Sequence, residues 1–347
     1  MTSLTLRQFR TQGVVAASGL ALLAALVLAT GPHLASLYAQ TLRACSAHGD
    51  CGQQLSFFSR DDTTLRNWLD AVVIAVPGLI GIFWGAPLVA RELESGTYRL
   101  AWTQSVTRTR WVAVKLAVVS LAAMAVAGLT SLAVSWWASP LDAASQNVFG
   151  SFDSRGIVPI GYGAFAFCLG VAGGVVIRRS LPAMATVLAG FTGIRLGVDE
   201  LVRPYLLSPV GARSPLSVAS VGYGSFNGSP FQLFAQPATP PDAWVLRTGI
   251  VDAGGQTLTG AQLRQACPQL HTAPPGGGGS GVTTAPGGVA HTLSHCIATL
   301  SAAYHEVVAY QPAGRYWPMQ WAELGIYLAG AVALGAGAWW WVRRRLT

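Results

Sequence analysis

Six stretches of this chain run for about the length of a membrane span with almost no charge. Polar segments of very unequal length separate them. The apolar runs are Val14–Leu34, Leu69–Val89, Trp111–Trp137, Val158–Ile177, Pro182–Val198 and Trp321–Val342. A helix needs about 20 mostly apolar residues to cross a bilayer, and each run predicts one. The fifth is the least apolar, because Arg195 lies inside it. The pattern predicts an all-α polytopic membrane protein with six transmembrane helices. It divides the chain into residues 1–200 with helices one to five, 201–317 as a long loop domain, and 318–347 with helix six and a basic tail.

Composition agrees with that pattern. Of 347 residues, 52% are hydrophobic and only 10% charged, where a soluble domain carries about 25% charged residues. The net charge of +8 is almost all arginine, Lys115 being the only lysine. No basic stretch is interleaved with stacking aromatics, so nucleic acid is not an expected partner. The basic residues sit at the ends of the apolar runs, as they do in membrane proteins. The first run follows Arg7 and Arg10. The stretch after it offers only Leu37-Tyr38-Ala39 as a cleavage site, with Leu37 where a small residue belongs. That favours a retained helix over a removed signal.

Arginine placement also predicts orientation. Arg7 and Arg10, the loop after helix two, Arg178 with Arg179, and Arg343 to Arg345 fall on one side when all six runs span. The positive-inside rule makes that side cytoplasmic, with both termini inside. Ala35–Trp68, Ala138–Ile157 and Glu200–Gln320 then lie outside. Cys45 and Cys51, and Cys267 and Cys296, form two even pairs in outward segments, which predicts two disulfides. Cys168 falls inside helix four as a small buried apolar residue.

The long outer loop reads as a small disulfide-stapled domain. "AWVLRTGIVDAGGQTLT" alternates like a hairpin, while "AQLRQAC" and "HTLSHCIATLSAAYHE" look helical. A Gly-rich tract at 274–288 has no means of building a core. His291 and His295 share a helix face beside Cys296, but a cysteine held in a disulfide is no ligand, and no metal site is expected. "NGS" at Asn227 is too common a pattern to carry weight.

Several chemistries are excluded. The one lysine stands in "VAVKLAV", which is no P-loop. There is no G-x-S-x-G, H-E-x-x-H or C-x-x-C either. Nothing in the chain marks an enzyme, and no cofactor is expected on it.

The unusual segment is the loop at 90–111, "ARELESGTYRLAWTQSVTRTRW". Arg91, Glu92, Glu94, Arg99, Arg108 and Arg110 crowd into it, followed by Lys115. Gly96 can break the backbone and Thr97 can cap a following helix. Tyr98 and Trp102 then suit either an interfacial helix resting on lipid headgroups or anchors for another protein.

Here the sequence resembles the permeases of ABC-2 type transporters. "E-x-E-x-G-T" at Glu92–Thr97, a short helix, and "S-V-T-R-T-R-W-x-x-x-K" at Ser105–Lys115 resemble that family's first cytoplasmic loop. "PIGYGAFAFCLG" (Pro159–Gly170), "RRSLPAM" (Arg178–Met184) and "YQPAGRYWPMQWAELGIYL" (Tyr310–Leu328) are similar to an actinobacterial group of these permeases. The resemblance implies a coupling helix between helices two and three, with Glu92, Glu94, Gly96, Thr97, Tyr98, Trp102 and Arg108 gripping a separate ATP-binding subunit. It implies a permease homodimer among membrane lipid, with ATP and Mg held by the partner subunit, and export of a hydrophobic or amphipathic substrate. Two departures stand out: Val106 replaces the family's usual proline, and the loop before helix six is far longer.

Arg195, Asp199, Glu200 and Arg203 follow at i, i+4, i+5 and i+8. Arg195 with Asp199, and Asp199 with Arg203, share a helix face. Charges at this depth face a bundle interior or a cavity. They predict either a pinned ion-pair ladder or the lining of a translocation path or outer gate, with Glu323 as a further partner for Arg203 or Arg315. Two rival classes remain: a sensor whose outer domain binds a ligand, and an ion-coupled transporter, which would show inverted repeats.

Overall fold

The computed structural model describes residues 10–48, 51, 54–55, 57–58, 63–95, 108–145, 147–224, 232–236, 238–268 and 289–345. The chain forms two compact units, Met1–Leu207 with Gly314–Thr347, and Ser208–Ala313.

The first unit is a helical bundle. Its elements are α1 (Arg10–His48), α2 (Thr63–Ile80), a π-turn (Gly81–Gly85) leading into α3 (Ala86–Ser95), α4 (Arg108–Ser145), α5 (Val158–Ile177), α6 (Ser180–Gly197) and, after the second unit, α9 (Tyr316–Arg345). Among the described residues, six helical spans are long and apolar enough to cross a membrane, with α2, the π-turn and α3 counting as one. The protein is a multi-pass membrane protein.

α5 is the axis of the bundle. It is apolar on every side, which marks a helix packed all round, and it packs against α2, α3, α4, α6 and α9. Apolar side chains gain little by leaving lipid for another helix, so close packing of small residues takes over. Gly81 and Gly85 of the π-turn lie against Ala166, Phe167 and Gly170 of α5, and Gly174 of α5 lies against Ala86 of α3. A Cβ at Gly81 would lie 2.6 Å from the Ala166 carbonyl oxygen, and one at Gly85 2.5 Å from that of Phe167. The two backbones therefore touch.

α1 packs least. Val27 and Leu34 join Leu69, Val73, Val134, Trp137 and Leu141 in one cluster, and the Trp137 indole N–H donates to Thr30 Oγ1 at 2.8 Å. Val14, Val15, Leu22 and Leu28 are exposed. An apolar surface of that extent faces lipid or another subunit.

Two predicted loops are shorter than expected. α1 continues through Ala35 to His48, and α2 begins at Thr63, so much of Ala35–Trp68 is helix. "LASLYAQTLRAC" is built from good helix formers, and the first stop signal after Pro32 is Gly49. α4 likewise runs through Pro140 to Ser145. The extension of α1 also corrects a predicted disulfide. Ser46 to His48 continue the helix, and Cys45 is not joined to Cys51. Instead Cys45 Sγ donates to the Cys51 carbonyl oxygen at 3.9 Å. Cys168 is buried in α5.

The second unit corrects the all-α expectation. It holds β1 (Val210–Pro215), β2 (Val221–Gly224), β3 (Gln232–Ala235), β4 (Trp244–Asp252), α7 (Gly260–Ala266), α8 (Val289–Leu300) and β5 (Tyr304–Gln311). The three-stranded sheet runs β1-β5-β4, all antiparallel, and β2 pairs antiparallel with β3. The sequence "HTLSHCIATLSAAYHE" divides: α8 stops at Leu300, and Tyr304–Glu306 open β5, whose "EVVAY" carries β-branched residues. Thr259 and Gln262 close a capping box on α7. Leu263, Leu293, Ile297 and Leu300 pack with Leu216, Val221, Ala235 and Ile250. A Cys267–Cys296 disulfide joins α8 to the residue that follows α7. The tract at 274–288 and Asn227 lie outside the described residues.

Candidate functional site

The densest polar structure in the bundle sits where α6 ends. After Gly197 the helix widens into a π-turn (Val198–Val202) and then tightens over Arg203–Tyr205. Pro204, lacking an N–H, suits that break. The change of pitch leaves Arg203 almost fully buried. Its Nε donates to Glu323 Oε2 at 2.7 Å and its Nη2 to Glu323 Oε1 at 2.9 Å. It also pairs with Asp199 and with Asp153, and its guanidinium carbon lies 4.6 Å from the Phe152 ring centre. The Tyr162 hydroxyl sits between Asp153 Oδ1 at 2.9 Å and Glu323 Oε1 at 2.8 Å.

Arg195 joins this cluster differently from the sequence expectation. Its partner is Asp153, at 3.3 Å, not Asp199 or Glu200. Its guanidinium also lies 5.2 Å from the centre of the Tyr162 ring, so it points into the bundle. Asp199 bonds Arg203. Glu200 is exposed and makes none of these contacts. Two guanidinium groups thus face three carboxylates. Burial pushes the Asp153 carboxyl up, but Arg203 and then Arg195 outweigh it and hold it below its ordinary value.

A second cluster adjoins the first through the segment joining α4 to α5. Arg155, two residues after Asp153, donates to Asp70 Oδ1 at 2.5 Å and Asp142 Oδ2 at 3.0 Å. Arg66 donates to Asp142 Oδ1 at 2.9 Å and Ser151 Oγ at 2.7 Å. Gln320 of α9 fixes the segment itself. Its Oε1 accepts from the N–H groups of Ile157 and Val158, and its Nε2 donates to the carbonyls of Phe152 and Arg155. Gly156 sits at φ +69° against Gln320, a conformation glycine adopts without penalty. Together these groups close one end of the bundle, tying α2, α4, α5, α6 and α9. They hold no nucleophile poised beside a base. Among the described residues no three His, Cys, Asp or Glu side chains could hold a metal ion.

Asp153, Arg155, Asp70, Asp142, Arg66, Tyr162 and Gln320 were not singled out from the sequence. A signal existed. The chain has only 14 acidic residues, and Asp70, Asp142 and Asp153 stand at the edges of apolar runs.

The opposite end of α6 carries another link. Glu94, near the end of α3, accepts from the Ser180 N–H at 3.0 Å and the Ser180 hydroxyl at 2.7 Å. It thereby satisfies the first turn of α6, where negative charge is favoured. The Ser180 hydroxyl, then its N–H, hold the Glu94 carboxyl below its ordinary value. Glu92 lies in α3, and Arg108 opens α4. Gly96, Thr97, Tyr98 and Trp102 fall outside the described residues.

A family model described as ABC-2 membrane transporter related matches residues 17–203, more than half of the chain. The chain belongs to this family. No curated protein and no solved structure matches it. The part shared with other ABC-2 membrane transporter related proteins runs from α1 to Arg203, so it includes every member of the two charge clusters except Glu323.

Proposed function

We propose that this protein is the permease subunit of an ABC-2 type exporter, driven by a separate ATP-binding subunit. The family match over residues 17–203 carries the reading. Six helical spans long and apolar enough to cross a membrane support it, and the sequence supplies no P-loop of its own. The energy source then lies on a partner that holds ATP and Mg. The loop between α3 and α4, with Tyr98 and Trp102 as anchors, is the proposed grip on that partner. It faces the cytoplasm, on the arginine distribution, with both termini on the same side.

Two copies of the permease are proposed to meet in the membrane and move a hydrophobic or amphipathic substrate outward. The bonds from Glu94 to Ser180 favour a mechanical route. They connect the start of the proposed coupling loop to α6, whose far end bears Arg195, Asp199 and Arg203 in the proposed outer gate. A search of the neighbouring reading frames for a P-loop ATPase, and co-expression with it, tests the reading. The two should co-purify, and candidate amphiphiles should stimulate ATP hydrolysis in proteoliposomes. A permease that purifies without the ATPase under all solubilising conditions would overturn it.

A further inference from the structure

A cavity of about 600 Å³ opens between α1, the α2–α3 span, α4 and α6, within the size range of small-molecule sites. Its two long walls run antiparallel. Gln12 Nε2 donates to the Phe83 carbonyl at 2.9 Å, which sets the level of one end. Leu23 and Val72 line it towards the other. From Gln12 to Leu23 the helix rises about 17 Å, roughly half the hydrocarbon thickness of a bilayer. The depth therefore matches one leaflet.

The wall is graded along that depth. Val15, Leu20, Leu23, Val72, Val76 and Leu79 make it apolar, while Thr11, Gln12 and Arg91 bring polar groups and positive charge to one end. Arg91 is exposed, two turns beyond Phe83 on the same span. An apolar trough of one-leaflet depth with a basic mouth matches a molecule with a long apolar chain and an anionic head. We propose that this cavity is a binding site for an anionic membrane phospholipid, its acyl chain between α1 and α2 and its phosphate near Arg91. The inference rests on the membrane-spanning reading and on nothing about ATP. Lipid binding and ATPase co-purification can fail independently.

The test uses the full-length protein in nanodiscs of phosphatidylcholine doped with a photoactivatable lipid. One arm carries the diazirine on the acyl chain of phosphatidylglycerol, the other on that of phosphatidylcholine. Labelled peptides are then mapped by mass spectrometry. The phosphatidylglycerol probe should label Val15–Leu23 and Val72–Leu79 above the phosphatidylcholine probe. Gly19 lines the cavity, and a Cβ there meets nothing within 4 Å. Gly19→Phe should therefore occupy the space and lower this labelling on the order of tenfold. Val76→Trp fills it from the facing wall and serves if Gly19→Phe does not fold. Arg91→Gln should cut the preference for the anionic probe roughly fivefold, the worth of one arginine near an anionic surface. Equal labelling by both probes, labelling spread evenly over the outward surface of α1, or labelling unchanged in a folded cavity-filled variant would each overturn the proposal.

Discussion

Arg203 and Glu323 meet fork to fork: Nε and Nη2 of the arginine donate to the two carboxylate oxygens of the glutamate, at 2.7 and 2.9 Å. Both residues are buried, Glu323 completely. This pair ties the end of α6 to α9 across 120 residues of sequence. Paired NH···O bonds of this kind are among the strongest available to side chains. Removing one partner leaves an uncompensated buried charge, which is unfavourable by about 3–5 kcal/mol. Arg203→Met should therefore lower the melting temperature in detergent and the yield of monodisperse protein. Arg203→Met combined with Glu323→Gln should recover only part of the loss, because Asp153 and Asp199 also lean on Arg203. Full recovery in the double variant would show that Glu323 alone needs the arginine.

Asp153 is the carboxylate that Arg195 and Arg203 share, so its loss should be worse than that of Asp199, which among the described residues forms an ion pair with Arg203 alone. Asp153→Asn should destabilise more than Asp199→Asn in a thermal-shift series. The pH dependence follows from the same contacts. The folded-state value of Asp153 lies below its unfolded value, so its stabilisation is complete above about pH 4. It is lost as the pH falls further, through the folded value. A melting-temperature profile of the parent should drop in that acid range. The profile of Asp153→Asn should start lower and drop less.

The Arg195 partner shows how far the sequence was legible. Helical spacing offers only neighbours at i+3 and i+4, and there Asp199 was the natural choice. The real partner, Asp153, precedes Arg195 by 42 positions and arrives with the turn before α5. No periodicity encodes that meeting. The membrane spans were legible because hydropathy and length act locally. Their ends were not, since helix formers carry α1 past the apolar run to His48. The strand Tyr304–Gln311 was hidden behind the helical rhythm of the residues just before it, and its pairing with β1 and β4 decides its form.

The loop prediction separates docking from support. Trp102→Ala should weaken association with the proposed ATP-binding subunit by on the order of 2 kcal/mol, roughly thirtyfold, while insertion and folding stay at parent level. Glu94 serves α6 through Ser180. Comparing Glu94→Ala with Ser180→Ala by pull-down and thermal shift divides the roles. Equal effects in both assays place Glu94 in support of α6. A binding defect in Glu94→Ala alone places it at the interface.

Non-reducing peptide mapping should recover Cys267 linked to Cys296 and leave Cys45, Cys51 and Cys168 open to alkylation in denaturant. The bridge spans 29 positions. Its removal by Cys296→Ser should cost the second unit about 3–4 kcal/mol in the chain-entropy model. The expected readout is faster proteolysis within residues 208–313 while the bundle stays intact. A linked Cys45–Cys51 peptide would count against the helical course of α1 through His48.

Gly81 and Gly85 against Gly170, and Gly174 against Ala86, bring the backbones of the α2–α3 span and α5 into direct contact. An added Cβ would meet backbone there, so the two spans are expected to move together. A cycle that opens and closes this protein must find its slip plane elsewhere. The natural seam runs along α1, whose apolar span has the smallest buried share among the described spans and which borders the one-leaflet trough. Methyl groups added along the glycine contact should arrest assembly itself. Bulk added along α1 should alter how freely the assembled protein moves.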